Sequence, residues 1–263
     1  MLTKRLIACF DIKNGRVTKA VQFQDNIDVA PAEELAQAMY EAQVDELIFY
    51  DIMASAEKRA IDIETVKSVA KRVFVPFTVG GGIRDINDMY EALKAGAEKI
   101  SIDSMAVRNP EIIAQGAKAF GSQCIVLSTQ VKRDPRTDLF PSGYEVYIDG
   151  ARKATGLDAL EWIKRGADLG AGEICINSID KDGTLSGYDL ELMRMAEEAV
   201  SVPLIASGGA GEPVHLHDLF STTQAQAAII SSMLYSPRLA RNYPVSELKE
   251  YLLKMGDNVR PMR

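Results

Sequence analysis

Short apolar runs recur along the chain, separated by longer segments in which apolar positions return at helical spacing. Eight of the runs read as strands: LIACFD (6–11), ELIFYD (46–51), PFTVGG (76–81), KISID (99–103), CIVLST (124–129), EICINS (173–178), PLIASGG (203–209) and AAIISS (227–232). They are β-branched-rich and lack a polar alternate face, which predicts strands covered on both sides. The intervening segments carry helix punctuation. PAEELAQAMYEA puts Pro31 at a first-turn position, and DINDMYEALKAG runs from an Asp cap to a terminal glycine. Strands alternating with helices predict βα units on a parallel sheet. Eight strands, about eight helices and no long linker predict one α/β domain over 1–263, a closed (β/α)8 TIM barrel.

An internal repeat refines this picture. Glu46 matches Glu173 and Gly81-Gly82 matches Gly208-Gly209, both at an offset of 127 residues. ISIDSM from Ile100 matches IISSML from Ile229, and Asp11 matches Gln130 at a shorter offset. The excursion DPRTDLFPSGYEVYIDGARKATG, hairpin-like in pattern, takes up the difference. Matches in this order predict two half-barrels of four βα units, about 1–120 and 121–263. Corresponding strand ends would then face each other across the C-terminal mouth, where barrel chemistry sits.

Composition narrows the partners. A hydrophobic fraction of 47% and a charged fraction of 25% fit a soluble globular chain. A net charge of −7 argues against nucleic acid or an anionic membrane as partner. No signal peptide or long apolar span is apparent. Cys9, Cys124 and Cys175 lie far apart in apolar runs, which reads as reduced core thiols of a cytoplasmic protein. His215 and His217 in VHLHD lack nearby cysteines or a third ligand and read as a surface helix start. No metal and no cofactor are expected.

The candidate chemistry lies at strand ends. VGGGIRD and ASGGAGEP place Gly82, Gly209 and Ala210 between a strand and a helix, where backbone N–H groups attract anions. Such glycines also make plain tight turns. Each cluster is followed by a strand ending in serine (Ser104; Ser231 and Ser232), and two such constellations favour a long ligand with a phosphate at each end. At the opposite strand ends, Arg5, Glu46, Lys99 and Glu173 begin strands 1, 2, 4 and 6 and could pair as a ring on the axis. Strand starts more commonly serve stability.

The segments ACFDIKNGRVTK, FYDIMAS, PFTVGGGI, SIDKDGTLSGYD and IASGGAG resemble the cyclase subunit of imidazole glycerol phosphate synthase, from Met1 to about Arg260. The resemblance implies a barrel that receives ammonia from a glutaminase subunit docked at its N-terminal face. The ammonia passes through the core to a ribulosyl aminoimidazole substrate with two phosphates. Cyclisation and cleavage yield imidazole glycerol phosphate and an aminoimidazole nucleotide. The resemblance makes Arg5, Glu46, Lys99 and Glu173 an ammonia gate, Glu98 a contact for the glutaminase, and Lys19 a loop residue over the mouth. It also groups Gly183 with the phosphate-binding residues.

Two positions depart from that family. Its general acid and base are aspartates on opposite strands; one matches Asp11, and the other position holds Gln130. A primary amide cannot exchange protons near neutral pH, and losing a positioned acid–base group costs about 10²–10⁴-fold in rate. Alternatively Gln130 is only a polar strand end, and Asp180 or Asp182 serves as the acid. In SIDSM, Asp103 stands where a neutral Asn is expected beside a phosphate, and like charges about 4 Å apart repel by roughly 1–4 kcal/mol. The retained gate with altered chemistry suggests a relative that channels ammonia to another acceptor, as in acetamidino-sugar synthesis for surface polysaccharides with a third, sugar-activating enzyme. The alternatives are an ordinary histidine-pathway cyclase and a non-catalytic scaffold that activates the glutaminase.

Overall fold

The computed structural model describes residues 2–21, 24–54, 57, 59–236 and 241–263, without the side chains of 19–26. Eight parallel strands close into a barrel: β1 Arg5–Lys13, β2 Glu46–Asp51, β3 Phe77–Gly80, β4 Lys99–Ile102, β5 Ile125–Arg133, β6 Glu173–Ser178, β7 Leu204–Ser207 and β8 Ala227–Ile229. Each pairs in parallel with its neighbours, and β8 returns to β1. All eight coincide with apolar runs expected from the sequence. They are buried on both faces, as the missing polar alternate requires.

Two cores result from this burial. The larger packs outward-facing strand residues such as Leu6, Phe10, Leu47, Phe49 and Phe77 against the helices. The smaller fills the barrel itself with Ile7, Ile48, Val126, Cys175, Ile205, Ala227 and Ile229. Helix starts follow their caps: Asp85 accepts from Asp88 N and opens Ile86–Lys94, and Asp158 accepts from two amides to open Ala159–Asp168. Pro31 is not in a first turn. It ends the strand Gln24–Pro31 in extended backbone and precedes the helix Ala32–Glu41.

The excursion after Gln130 is a hairpin of Tyr144–Ile148 and Lys153–Asp158, antiparallel to the upper part of β5. A counterpart follows β1, formed by Arg16–Val21 and Gln24–Pro31. Both hairpins rise at the C-terminal face. Short helices, Ser104–Arg108 and Ser231–Tyr235, directly follow β4 and β8.

Candidate functional site

Asp11 sits near the end of β1 and Gln130 near the end of β5, four strands away around the barrel. Both line a cavity of about 430 Å³ at the C-terminal mouth, together with Gly82, Ser104, Gly183, Gly209, Ala210, Ser231 and Ser232. The structure thus gathers every expected mouth residue but Lys19. Its backbone pairs with Ile27, while its side chain is outside the described residues.

Glycine is obligatory at the two turns beneath the cavity walls. Gly82 has φ +73°, and a Cβ there would lie 2.5 Å from Ala54 Cβ. Gly209 has φ +105°, and its Cβ would lie 2.1 Å from the Gly187 carbonyl. Each turn faces the start of one of the short helices, the arrangement in which barrels hold phosphate. The serines differ in availability. Ser104 Oγ accepts from Asp149 N at 2.9 Å and keeps its own proton to donate. Ser231, expected to contact phosphate, has its hydroxyl engaged with β1, accepting from Cys9 N at 2.8 Å and donating to Cys9 O at 2.7 Å. An anion at the second turn would meet the Ser232 hydroxyl more readily than that of Ser231.

Sequence reasoning missed the arginines and one amide. Arg59, Arg84, Arg108 and Arg152 all border the cavity. Arg59 is held by both Asp51 oxygens, at 2.6 and 3.0 Å, and Arg108 by Asp149 at 2.5 Å. Arginine after a glycine turn was a usable signal in GGGIR. Asn177, paired across the β5–β6 register with Gln130, also faces the cavity. Gln130 Oε1 and Asn177 Oδ1 are buried acceptors with no hydrogen-bond donor. Buried acceptors left unmet are costly, and two neighbours opening on one cavity mark a place for ligand N–H or O–H groups.

Asp103, expected to weaken the first phosphate site, lies in the cavity lining beside Gln130. Its carboxylate makes no capping bond to the short helix; Oδ2 accepts from Gln130 Nε2 at 2.7 Å. Burial, followed by the nearby charge of Asp149, raises its pKa to about 7, against the opposing pull of the Gln130 hydrogen bond and the Arg108 charge. Of the two alternative acids, Asp182 lines the cavity, whereas Asp180 accepts from Arg133 N at 2.8 Å. Cys175, beneath the mouth, is pushed up to about 12, chiefly by burial, so its thiol stays protonated.

At the barrel's other end the four charged residues meet. Glu46 takes Arg5 at 2.5 Å and Lys99 at 2.9 Å; Glu173 takes Lys99 at 2.8 Å and also Arg5. Thr78 Oγ1 donates to Glu46 Oε1 at 3.1 Å. The ring closes the axis with alternating charge. Glu98 lies exposed beside it, accepting from Phe77 N at 2.8 Å. His215 Nδ1 accepts from the Gly211 and Glu212 amides, and His217 pairs with Asp257 at 2.9 Å. Among the described residues no cluster of metal-binding side chains occurs, and no helix is long and apolar enough to cross a membrane. Cys9, Cys124 and Cys175 are not joined in disulfides.

Comparison with known proteins agrees with this geometry. The model of a family described as "Histidine biosynthesis protein" matches residues 5–240. Imidazole glycerol phosphate synthase subunit HisF of Desulfosudis oleivorans is 51% identical over 260 residues, covering 99% of each chain. The same subunit of Solidesulfovibrio magneticus is also 51% identical with 99% of each chain covered, and that of Desulfatibacillum aliphaticivorans is 50% identical over 99% of this chain and 98% of its own. The chain belongs to the histidine biosynthesis protein family, among the HisF subunits of imidazole glycerol phosphate synthase.

Proposed function

We propose that this barrel is a working cyclase subunit of imidazole glycerol phosphate synthase in histidine biosynthesis. It takes ammonia from a glutaminase subunit at its N-terminal face and uses it at the C-terminal mouth. The observation that carries the reading is the mouth itself. One cavity holds Asp11, two glycine turns on opposite sides, and unmet acceptors between them. That suits a long substrate with a phosphate at each end and polar groups in the middle. Full-length similarity to subunits of that name supports it.

In this reading Arg5, Glu46, Lys99 and Glu173 form the gate through which ammonia enters. Glu98, exposed on the same face, meets the glutaminase, and Lys19 closes over the mouth. Asp11 handles protons on one side of the substrate. Gly82, Ser104, Gly183, Gly209, Ala210 and Ser232 hold the phosphates, with Ser231 fixing the second turn to β1. The test is direct. The purified chain, given the ribulosyl aminoimidazole bisphosphate and ammonium, should form imidazole glycerol phosphate at a rate typical of biosynthetic enzymes.

Delivery of ammonia to a sugar acceptor in surface-polysaccharide synthesis keeps one observation in its favour, the non-titrating amide of Gln130. It predicts no turnover of the ribulosyl substrate in the same assay, with the glutaminase still stimulated. The relatives named above lend it no support.

A further inference from the structure

The amide at position 130 and the carboxyl at position 103 need a joint explanation. Asp103 follows β4 and Gln130 lies on β5, the neighbouring strand, with Ile102 in register with Leu127. Their side chains meet at the cavity wall across from Asp11, joined by the 2.7 Å hydrogen bond. A carboxyl therefore lies one hydrogen bond from the tip of residue 130, the position that the resemblance matches to a second catalytic aspartate. We propose that Asp103 is the second acid–base residue of this chain, giving a proton to the substrate opposite Asp11 while Gln130 positions it. The inference rests on the cyclase reading.

The surroundings suit that task. Asp103 is deep in the mouth yet keeps an edge open to the cavity. The charged or titratable groups facing it are Arg108 on the following helix, Asp149 in the turn of the second hairpin, and Cys175 on β6. Arg108 is already paired with Asp149, so it does not hold Asp103 as a fixed ion pair. A pKa of about 7 leaves both forms populated at neutral pH, the condition under which a general acid works best. Gln130 also fits the role. Its amide has both a donor and an acceptor, so it can partner the ionised carboxylate through Nε2 and the protonated acid through Oε1. A cation in its place would lock the ionised form.

The chemistry balances without further reagents. Ammonia adds to the ketose carbonyl to give a carbinolamine; the hydroxyl then leaves as water, and an imine remains. Carbonyl and ammonia become imine and water. Protonated Asp103 gives its proton to the departing hydroxyl, and Asp11 is placed to take one from nitrogen. The two carboxyls end with their roles exchanged and re-equilibrate with solvent through the mouth.

The experiment compares the unaltered chain with Asp103→Asn, Asp182→Asn and the double variant Asp103→Asn/Gln130→Asp, at fixed free ammonia. Asp103→Asn should lower kcat by about 10²–10⁴-fold with KM for the ribulosyl substrate within about threefold. The unaltered chain should lose kcat/KM as pH rises through about 7, and Asp103→Asn should lack that limb. The double variant, which moves the carboxyl back across the hydrogen bond, should recover to within about tenfold. An active unaltered chain whose Asp103→Asn variant keeps its rate, or whose limb vanishes in Asp182→Asn instead, overturns this inference alone. So does a double variant as inactive as Asp103→Asn. An unaltered chain with no turnover overturns the cyclase reading and this inference with it.

Discussion

Asp103 carries a cost to the fold that its activity would repay. In the unfolded chain its carboxyl titrates at 3.8, and in the folded chain at about 7. The raised value has a definite sign: stability is full below about pH 4, falls as pH rises, and is lowest above about 7, once the buried group must ionise. A shift of this size corresponds to at most about 4 kcal/mol, and the edge open to the cavity reduces it to on the order of 1–3 kcal/mol. Asp103→Asn removes the titration, so it should melt higher than the unaltered chain by roughly 3–10 °C at pH 8 and by much less at pH 5. Melting curves at the two pH values read this directly. A gap independent of pH would mean that Asp103 is solvated like a surface residue. The variant expected to lose turnover is thus expected to gain stability, a pairing that simple misfolding does not produce.

Among the elements, the last helix ties the chain's end to the start of the barrel. Lys249, on Val245–Met255, is almost wholly buried and donates to Asp45 Oδ1 at 2.9 Å and to the Gln43 carbonyl at 2.8 Å. The other Asp45 oxygen accepts from Leu6 N at 2.9 Å. Lys249→Met fills the space and leaves the Asp45 charge facing Arg260, 3.9 Å away, as its ion-pair partner. Stranding a buried carboxylate should cost on the order of 3 kcal/mol, or roughly 10 °C in Tm, while the mouth keeps its kcat. Melting and turnover measured on one preparation check both halves. This contact joins residues some two hundred positions apart and left no mark in the sequence. The barrel strands did, because a strand buried on both faces must be apolar throughout. The hairpin after β1 was less legible than the one after β5: Arg16–Val21 and Gln24–Pro31 carry polar and charged residues and pair outside the barrel core, so no apolar run announces them. The Asp103–Gln130 bond was the largest loss. Each residue was noticed as a departure, but that β4 and β5 bring them together becomes visible only when both are placed at adjacent strand ends.

Across the whole molecule, polarity changes in layers along the barrel axis. The ring of Arg5, Glu46, Lys99 and Glu173 closes the bottom, and above it lies the apolar layer with Ile7, Ile48, Val126 and Ile205. Next comes a hydroxyl layer, in which Tyr50 Oη meets Ser101 Oγ at 3.1 Å and Ser128 Oγ at 3.3 Å, and then the mouth. An ion would lose too much hydration in the apolar layer, while neutral ammonia would not, so the order of layers favours passage of the unprotonated form. On the proposed function the ring must open before ammonia can cross it. Its carboxylates are the more deeply held members, with Glu46 fixed in addition by Thr78, while the Lys99 side chain keeps 18% exposure. The two cations, Lys99 and the somewhat more exposed Arg5 at 23%, are therefore freer to swing than the carboxylates. Lys99→Met should leave ammonium-dependent turnover nearly unchanged, since solution ammonia reaches the mouth without crossing the ring. With the glutaminase bound, glutamine hydrolysed per product formed should rise above one, because ammonia escapes at a ring that no longer admits it on cue. Counting glutamate and imidazole glycerol phosphate in the same reaction decides the matter. A ratio held at one in Lys99→Met would show that nitrogen reaches the mouth by a path other than the ring.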